Sequence, residues 1–254
     1  VALVQETVDL RRGGAETSTC EMAAAIAALG HDVTLVCRAE DGAAAPEGAF
    51  AVHAVETVAR ARWRRTLEFV RAADDFCRRG GFEIVHAITP CLSANVYQPR
   101  GGTYVETIAR NIALERSLLR RVVKWLDRRI NWRQRLLVLL ERDMLTDRRG
   151  PVVAAVSDYV RRQVLAAFGL PDERVRVVFN GVDIAPLTGA EAAAARTTWR
   201  QRLSIAEGVP LALFVGHNFK LKGLRELLVA LPRVTGPVAP VLVVAGGGDA
   251  RAYE

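Results

Sequence analysis

Lysine is nearly missing from this sequence: of 35 basic residues only Lys124, Lys220 and Lys222 are lysines. Cysteine is sparse too, and Cys20, Cys37, Cys77 and Cys91 form no Cys-x-x-Cys pair. That spacing offers neither a zinc site nor a redox dithiol and fits reduced thiols in a cytosolic protein. Cys20 and Cys77 fall in helical patterns and are expected in the core. Long apolar runs are absent. Leu136–Leu140, Val152–Val156 and Val241–Ala245 are five residues each, against the ~18 needed to span a bilayer. No leader-like segment precedes the apolar run Val1–Val4, and the chain has no initiating Met. The expectation is a cytoplasmic protein entered inside a strand, hence a fragment. The dinucleotide fingerprint G-x-G-x-x-G is missing as well, and Arg38 stands where an acid would hold an NAD ribose, which argues against a Rossmann oxidoreductase.

What is present is an ordinary globular composition of 254 residues, 50% hydrophobic and 25% charged, enough for one large domain or two modest ones. The net charge of +7 is concentrated. Residues 116–142 hold nine basic and two acidic side chains, so this segment alone accounts for it. A smaller cluster joins Arg60, Arg62, Arg64, Arg65 and Arg71 around Trp63. The long segment is interleaved with Leu, Val and Ile and carries no nucleic-acid recognition motif, so no nucleic acid is expected as a partner. Its pattern fits an interfacial helix that turns Arg120, Arg121, Lys124 and Arg128 to anionic lipid. The alternative is a helix packed on the protein with a solvated arginine face.

Continuous Val/Leu/Ile runs alternate with helical patterns along the chain. They predict strands at 1–4, 32–37, 50–55, 82–88, 152–156, 175–179, 211–215 and 241–245, with a clear helix over 63–79. Such an alternation means a parallel sheet covered on both faces, an α/β doubly wound fold. Ligands of these folds bind beyond the carboxyl ends of the strands, so the turns there are the candidate sites. Gly13 and Gly14 let backbone N–H groups approach an anion at a helix N-terminus, or simply permit a tight turn. Asn180-Gly181-Val182-Asp183 is a turn signal placed like a hinge. The loop Gly216-His217-Asn218-Phe219-Lys220-Leu221-Lys222-Gly223 holds two of the three lysines. An ammonium is a point charge suited to a phosphate, although solvated surface lysines would look the same. His86, at a strand end, is placed to orient a hydroxyl or to serve as an ordinary hydrogen-bonded histidine.

Gly13-Gly14-Ala15-Glu16, Ser157-Asp158-Tyr159-Val160, Asn180-Gly181-Val182-Asp183 and Gly216…Lys222-Gly223 occur in an order that resembles the retaining family 4 glycosyltransferases of the GT-B fold. The likeness is greatest to the bacterial branch with the lipopolysaccharide core glucosyltransferases. It implies a Rossmann-like acceptor domain over 1–183, a linker over 184–208 and the start of a nucleotide-sugar domain over 209–254. It implies further that Gly13, Gly14 and Lys222 meet the donor diphosphate. Lys220 and His217 stand near the place of a second cation, and the family's usual arginine there is absent. Glu16, His86, Arg100, Gly101 and Gly102 become acceptor-side candidates; Arg100 stands where a histidine is common, so no catalytic histidine is carried over.

The implied reaction moves a sugar from a nucleoside diphosphate-sugar to a glycan or lipid-linked acceptor, with retention, in cell-envelope polysaccharide or lipopolysaccharide synthesis. No metal and no cofactor are expected, since the nucleotide-sugar is a substrate. The implied location is cytoplasmic, peripheral on the inner leaflet of the cytoplasmic membrane. The family's paired glutamates belong beyond Ala245, and 209–254 is shorter than the ~100 residues of a domain, so the expectation is a truncated and inactive transferase. The competing reading is a non-catalytic GT-B piece acting as a basic module for a membrane surface or an anionic partner.

Overall fold

In the computed structural model the apolar runs of the first part of the chain form a seven-stranded sheet in the order β3-β2-β1-β4-β5-β6-β7. The strands are β1 (Ala2–Val4), β2 (Thr34–Arg38), β3 (Ala51–Val55), β4 (Val85–Ala87), β5 (Val96–Tyr97), β6 (Val152–Ala155) and β7 (Val175–Val177), every pairing parallel. The structure describes residues 1–8, 14–39, 49–115, 117, 119, 121–123, 131–181, 187–216, 218–247 and 253.

Both sheet faces are buried, which is why these strands read as unbroken apolar runs. On one face Ala2, Val4, Val36, Val85, Ala87 and Val153 pack against α2 (Arg62–Arg79), α4 (Trp132–Thr146) and α5 (Asp158–Phe168). On the other, Leu3 and Leu35, which are register partners, pack with Ala23 of α1 (Gly14–Ala28). Cys77 is buried in the first core, and half-buried Cys20 packs against the second. Local chemistry ends the helices. Gly30 at φ +88° turns the chain after α1, and Arg78 and Arg79 complement the carboxyl end of α2. Ser157 caps α5 by accepting from the Val160 N–H at 3.3 Å, so the Ser157-Asp158 motif has a structural role.

Two elements were not foreseen. The strand β5 has only two residues, too few for a periodicity to show, yet it bridges β4 and β6. Helix α3 (Tyr104–Ala113) starts after Thr103, whose hydroxyl accepts from the Glu106 N–H at 3.2 Å. The basic segment emerges from α3 and ends in α4; Arg120, Lys124 and Arg128 lie outside the described residues. Arg121 is described. Its guanidinium donates to the carbonyls of Glu115 and Ala113, at the end of α3.

The chain divides into two units, Val1–Asn180 and Gly181–Glu254, so the boundary falls inside the Asn180-Gly181 motif. In the second unit the stretch expected as a linker carries a helix, α6 (Gly189–Arg202), started by a Thr188/Glu191 capping box. The parallel pair β8 (Leu211–Val215) and β9 (Val241–Ala245) follows, with α7 (Phe219–Lys222) and α8 (Leu224–Ala230) between them.

Candidate functional site

A charged residue directly after a buried strand must reach water or find partners, because an unpaired buried charge is costly. Glu6, just past β1, is only 4% exposed and is fully partnered. Its Oε1 accepts from Arg38 Nη1 at 2.7 Å and from Thr66 Oγ1 at 2.8 Å, and its Oε2 from Arg133 Nη2 at 2.8 Å. Arg133 Nε donates to Thr66 Oγ1 at 2.9 Å. The Glu6 N–H donates to Thr89 Oγ1 at 2.8 Å, which ties the end of β1 to the segment after β4. Gln5 accepts from the Thr19 hydroxyl of α1.

These residues line a cleft of about 240 Å³ together with Thr7, Glu16, Ile88, Tyr97, Pro99, Arg100, Gly101, Gly102 and Tyr104. The cleft sits beyond the carboxyl ends of β1, β4 and β5. Because β2 and β3 extend from one side of β1 and the later strands from the other, this is the point where the strand order reverses, the usual ligand crevice of doubly wound sheets.

Beneath the cleft lies Glu141 of α4, fully buried. Its Oε1 accepts from the Tyr97 hydroxyl and its Oε2 from the Tyr104 N–H, both at 2.8 Å. The carboxyl thus holds the first turn of α3 against β5. Burial outweighs these two hydrogen bonds and pushes it up to about 7. The Tyr97 and Tyr104 hydroxyls are both raised, first by burial and then by the Glu141 charge.

Of the acceptor-side candidates, Glu16, Arg100, Gly101 and Gly102 come together on the cleft wall. Gly102 adopts φ +81°, a conformation that side chains disfavour, so a glycine is needed there. His86 does not line the cleft. It lies in β4, half-buried beside Gln98 and Arg100; burial first, and then the Arg100 charge, lowers it to about 4, so it is a neutral imidazole near pH 7. Gly14 is the first residue of α1, while Gly13 is outside the described residues.

In the second unit the ends of β8 and β9 approach backbone to backbone. A Cβ on Gly246 would fall 1.9 Å from the Gly216 carbonyl oxygen, and one on Gly216 would meet Lys222 Cγ at 3.2 Å. Only glycine fits at Gly246, and the Lys222 stem passes over Gly216. Asn218 accepts from the Leu221 N–H at 3.0 Å and starts α7, which carries Lys220 and Lys222. His217 lies outside the described residues. Among the described residues no group of three or more His, Cys, Asp or Glu side chains is placed to hold a metal ion.

The reading from sequence missed Gln5, Glu6, Tyr97, Tyr104, Arg133 and Gly246. A signal existed for two of them: a Gln-Glu pair directly after a buried strand has nowhere to go except a site. Gly246 also opens a run of three glycines. Arg133 gave none, being one arginine among many.

A parallel sheet with its crevice at the reversal of strand order, followed by a second βα unit with a lysine over a strand-end glycine, defines an α/β protein of the GT-B type. Residues 12–186 match the Glycosyltransferase Family 4 model. The chain belongs to that family. It is 28% identical over 101 residues to an uncharacterized glycosyltransferase of Methanocaldococcus jannaschii, a match covering 40% of this chain and 26% of that protein. It is 32% identical over 95 residues to spore coat protein SA of Bacillus subtilis, covering 36% and 25%. Among solved structures, WaaG, a glycosyltransferase involved in lipopolysaccharide biosynthesis, superposes with a TM-score of 0.74 at 20% identity, over 99% of this chain and 65% of WaaG. Sucrose-phosphate synthase from Thermosynechococcus elongatus gives 0.63 at 17%, over 98% and 63%. The chain therefore spans less than two thirds of the length of these proteins, and the two structural likenesses speak for the fold.

Proposed function

We propose that this protein moves a sugar from a nucleoside diphosphate-sugar to a glycan or lipid-linked acceptor, with retention, in the synthesis of cell-envelope polysaccharide or lipopolysaccharide. The observation that carries this is the cleft at the reversal of strand order, which lies within the part of the chain that matches the family. In this reading the cleft takes the acceptor, with its hydroxyl-binding groups supplied by Gln5, Glu16 and the Arg100-Gly101-Gly102 loop. The donor diphosphate is met by Lys222, with Lys220, at the Gly216/Gly246 strand ends. The bond from sugar C1 to the diphosphate oxygen breaks, the acceptor oxygen bonds to C1 on the same face, and its proton passes to the departing diphosphate. Negative charge grows on that leaving oxygen. A fixed ammonium lowers the barrier because it is already in place when the charge appears. Lysine rather than a metal ion supplies that charge in this scheme.

The test is transfer of labelled sugar from UDP-, GDP- and ADP-linked donors by the complete protein. Lys222→Ala is expected to lower turnover by ~10²–10³ while leaving the melting temperature nearly unchanged. Normal turnover in that variant would remove Lys222 from the scheme, and no transfer from any donor would remove the transferase reading.

A surface feature supports a peripheral place on the cytoplasmic leaflet, where lipid-linked acceptors reside. Trp63 of α2 and Trp132 of α4 lie 6.3 Å apart by ring centroid. The Arg64 and Arg135 guanidinium groups stack over them at 5.2 and 5.1 Å. Leu119, Val122 and Val123 of the basic segment are exposed. No helix among the described residues is long and apolar enough to cross a membrane. Amphipathic indoles beside arginines suit the headgroup layer. Co-sedimentation with anionic vesicles that fades with salt and weakens in Trp63→Ala/Trp132→Ala is the expected result; equal pelleting with neutral vesicles would defeat it.

A further inference from the structure

We propose that the cleft contains an anion subsite built on Arg133, and that the acceptor it takes carries a phosphate or carboxylate group. The proposal rests on the transferase reading only for the word acceptor; the subsite itself rests on the Glu6 network. Two guanidinium groups share one carboxylate there. Arg38 and Arg133 each form an ion pair with Glu6, at 2.7 and 2.8 Å, so one positive charge is left over. Exposure decides where it shows: the Arg38 side chain is 15% exposed and that of Arg133 is 37% exposed. The surplus charge is therefore presented by Arg133, which lines the cleft.

The geometry of the fork supports the same conclusion. Arg133 spends Nε on Thr66 and Nη2 on Glu6, both toward the protein. Its Nη1 takes no part in these bonds. The guanidinium plane is thus fixed by two directed hydrogen bonds before any ligand arrives, so little side-chain entropy remains to be lost on binding. If Arg133 served only to neutralise Glu6, the second arginine would be superfluous, because Arg38 and Thr66 already cover Oε1. Elsewhere on the wall the charges offset each other, since Arg100 and Glu16 interact electrostatically. The net positive charge of the cleft is accordingly the one at Arg133. A guanidinium edge in a polar cleft prefers an oxyanion that can take two parallel N–H bonds. Phosphate and carboxylate both qualify, and charge-assisted bonds of this kind separate charged from neutral ligands.

The experiment compares binding of glucose 6-phosphate, glucuronate and glucose to the chain by calorimetry, without any donor. Charged probes are expected to bind at least tenfold more tightly than glucose, the phosphate and carboxylate arms showing which anion is preferred. Arg133→Gln should abolish that preference, and Arg133→Lys should retain part of it. Because Arg133→Gln loosens a buried carboxylate, a second measurement uses the unaltered protein. Phenylglyoxal modification of Arg133, followed by peptide mass, should be slowed severalfold by glucose 6-phosphate and not by glucose. Equal binding of all three probes, an undiminished preference in folded Arg133→Gln, or no protection of Arg133 would each overturn the subsite. Anion binding at Arg133 in a protein that transfers no sugar would leave the subsite standing and remove only the transferase reading.

Discussion

The strands of the first unit and those of the second are written in the same alphabet and live in different surroundings. Ala2-Leu3-Val4 and Leu35-Val36 are fully buried, whereas Leu213 and Val215 of β8 are 63% and 67% exposed. The difference is in neighbours. β1 has a strand on each side and helices on both faces, while β8 and β9 have only one another as strand partners among the described residues. An apolar run therefore specifies that a strand forms; how deeply it is buried depends on what else assembles around it.

Hydrogen exchange would show the largest contrast. Amides of β1, β2 and β4 are expected to exchange only through global opening, and those of β8 and β9 through local opening. With global stabilities of about 5 kcal/mol or more, protection should differ by at least ~10³-fold. Equal protection would mean that β8 and β9 are covered in solution. Next in size are two truncations of the same side chain. Leu35→Ala should cost ~2–5 kcal/mol in denaturant unfolding, and Leu213→Ala within about 0.5 kcal/mol. A large cost for the second would again reveal a hidden cover on the sheet.

The pH dependence of the first unit is a smaller effect with a definite sign. Folded Glu141 keeps its proton up to about 7, while its ordinary value is 4.5. Its contribution is whole below about 4.5 and is lost as pH rises toward 7, on the order of 3 kcal/mol in all. His86 works the other way. Its folded value is about 4 against an ordinary 6.5, so stability is lost as pH falls from 6.5 toward 4. The two slopes oppose each other between 4.5 and 6.5 and largely cancel there. Glu141→Gln should unmask a loss toward acid, and His86→Gln a loss toward neutral pH, in urea titrations at pH 4.5 to 7.5. A flat profile in both variants would mean that neither group is perturbed as its burial implies.

The site was legible in part. The glycines at Gly101 and Gly102, Glu16 and Arg100 could be placed by motif because backbone freedom and strand ends leave local marks. His86 could be placed at a strand end, but its withdrawal from the cleft depends on β4 lying between β1 and β5, a long-range fact. Gly216 was readable as a turn, while the need for glycine at Gly246 comes from a contact between strands 30 residues apart. Arg121 carried the same charge as its neighbours in sequence, yet its guanidinium is turned to the last carbonyls of α3.

What the sequence determined by itself was the alternation of elements, the parallel α/β class, the concentration of positive charge and the turns where ligands meet strand ends. Each is a local property, fixed by side-chain periodicity, glycine conformations or simple addition of charge. Tertiary structure alone decided that Glu6, Arg38, Thr66 and Arg133 meet, since they come from four separate places in the chain and no period links them. A charge network of this kind is stabilised by mutual proximity in a buried place. Proximity between distant segments exists only once the sheet has set its strand order.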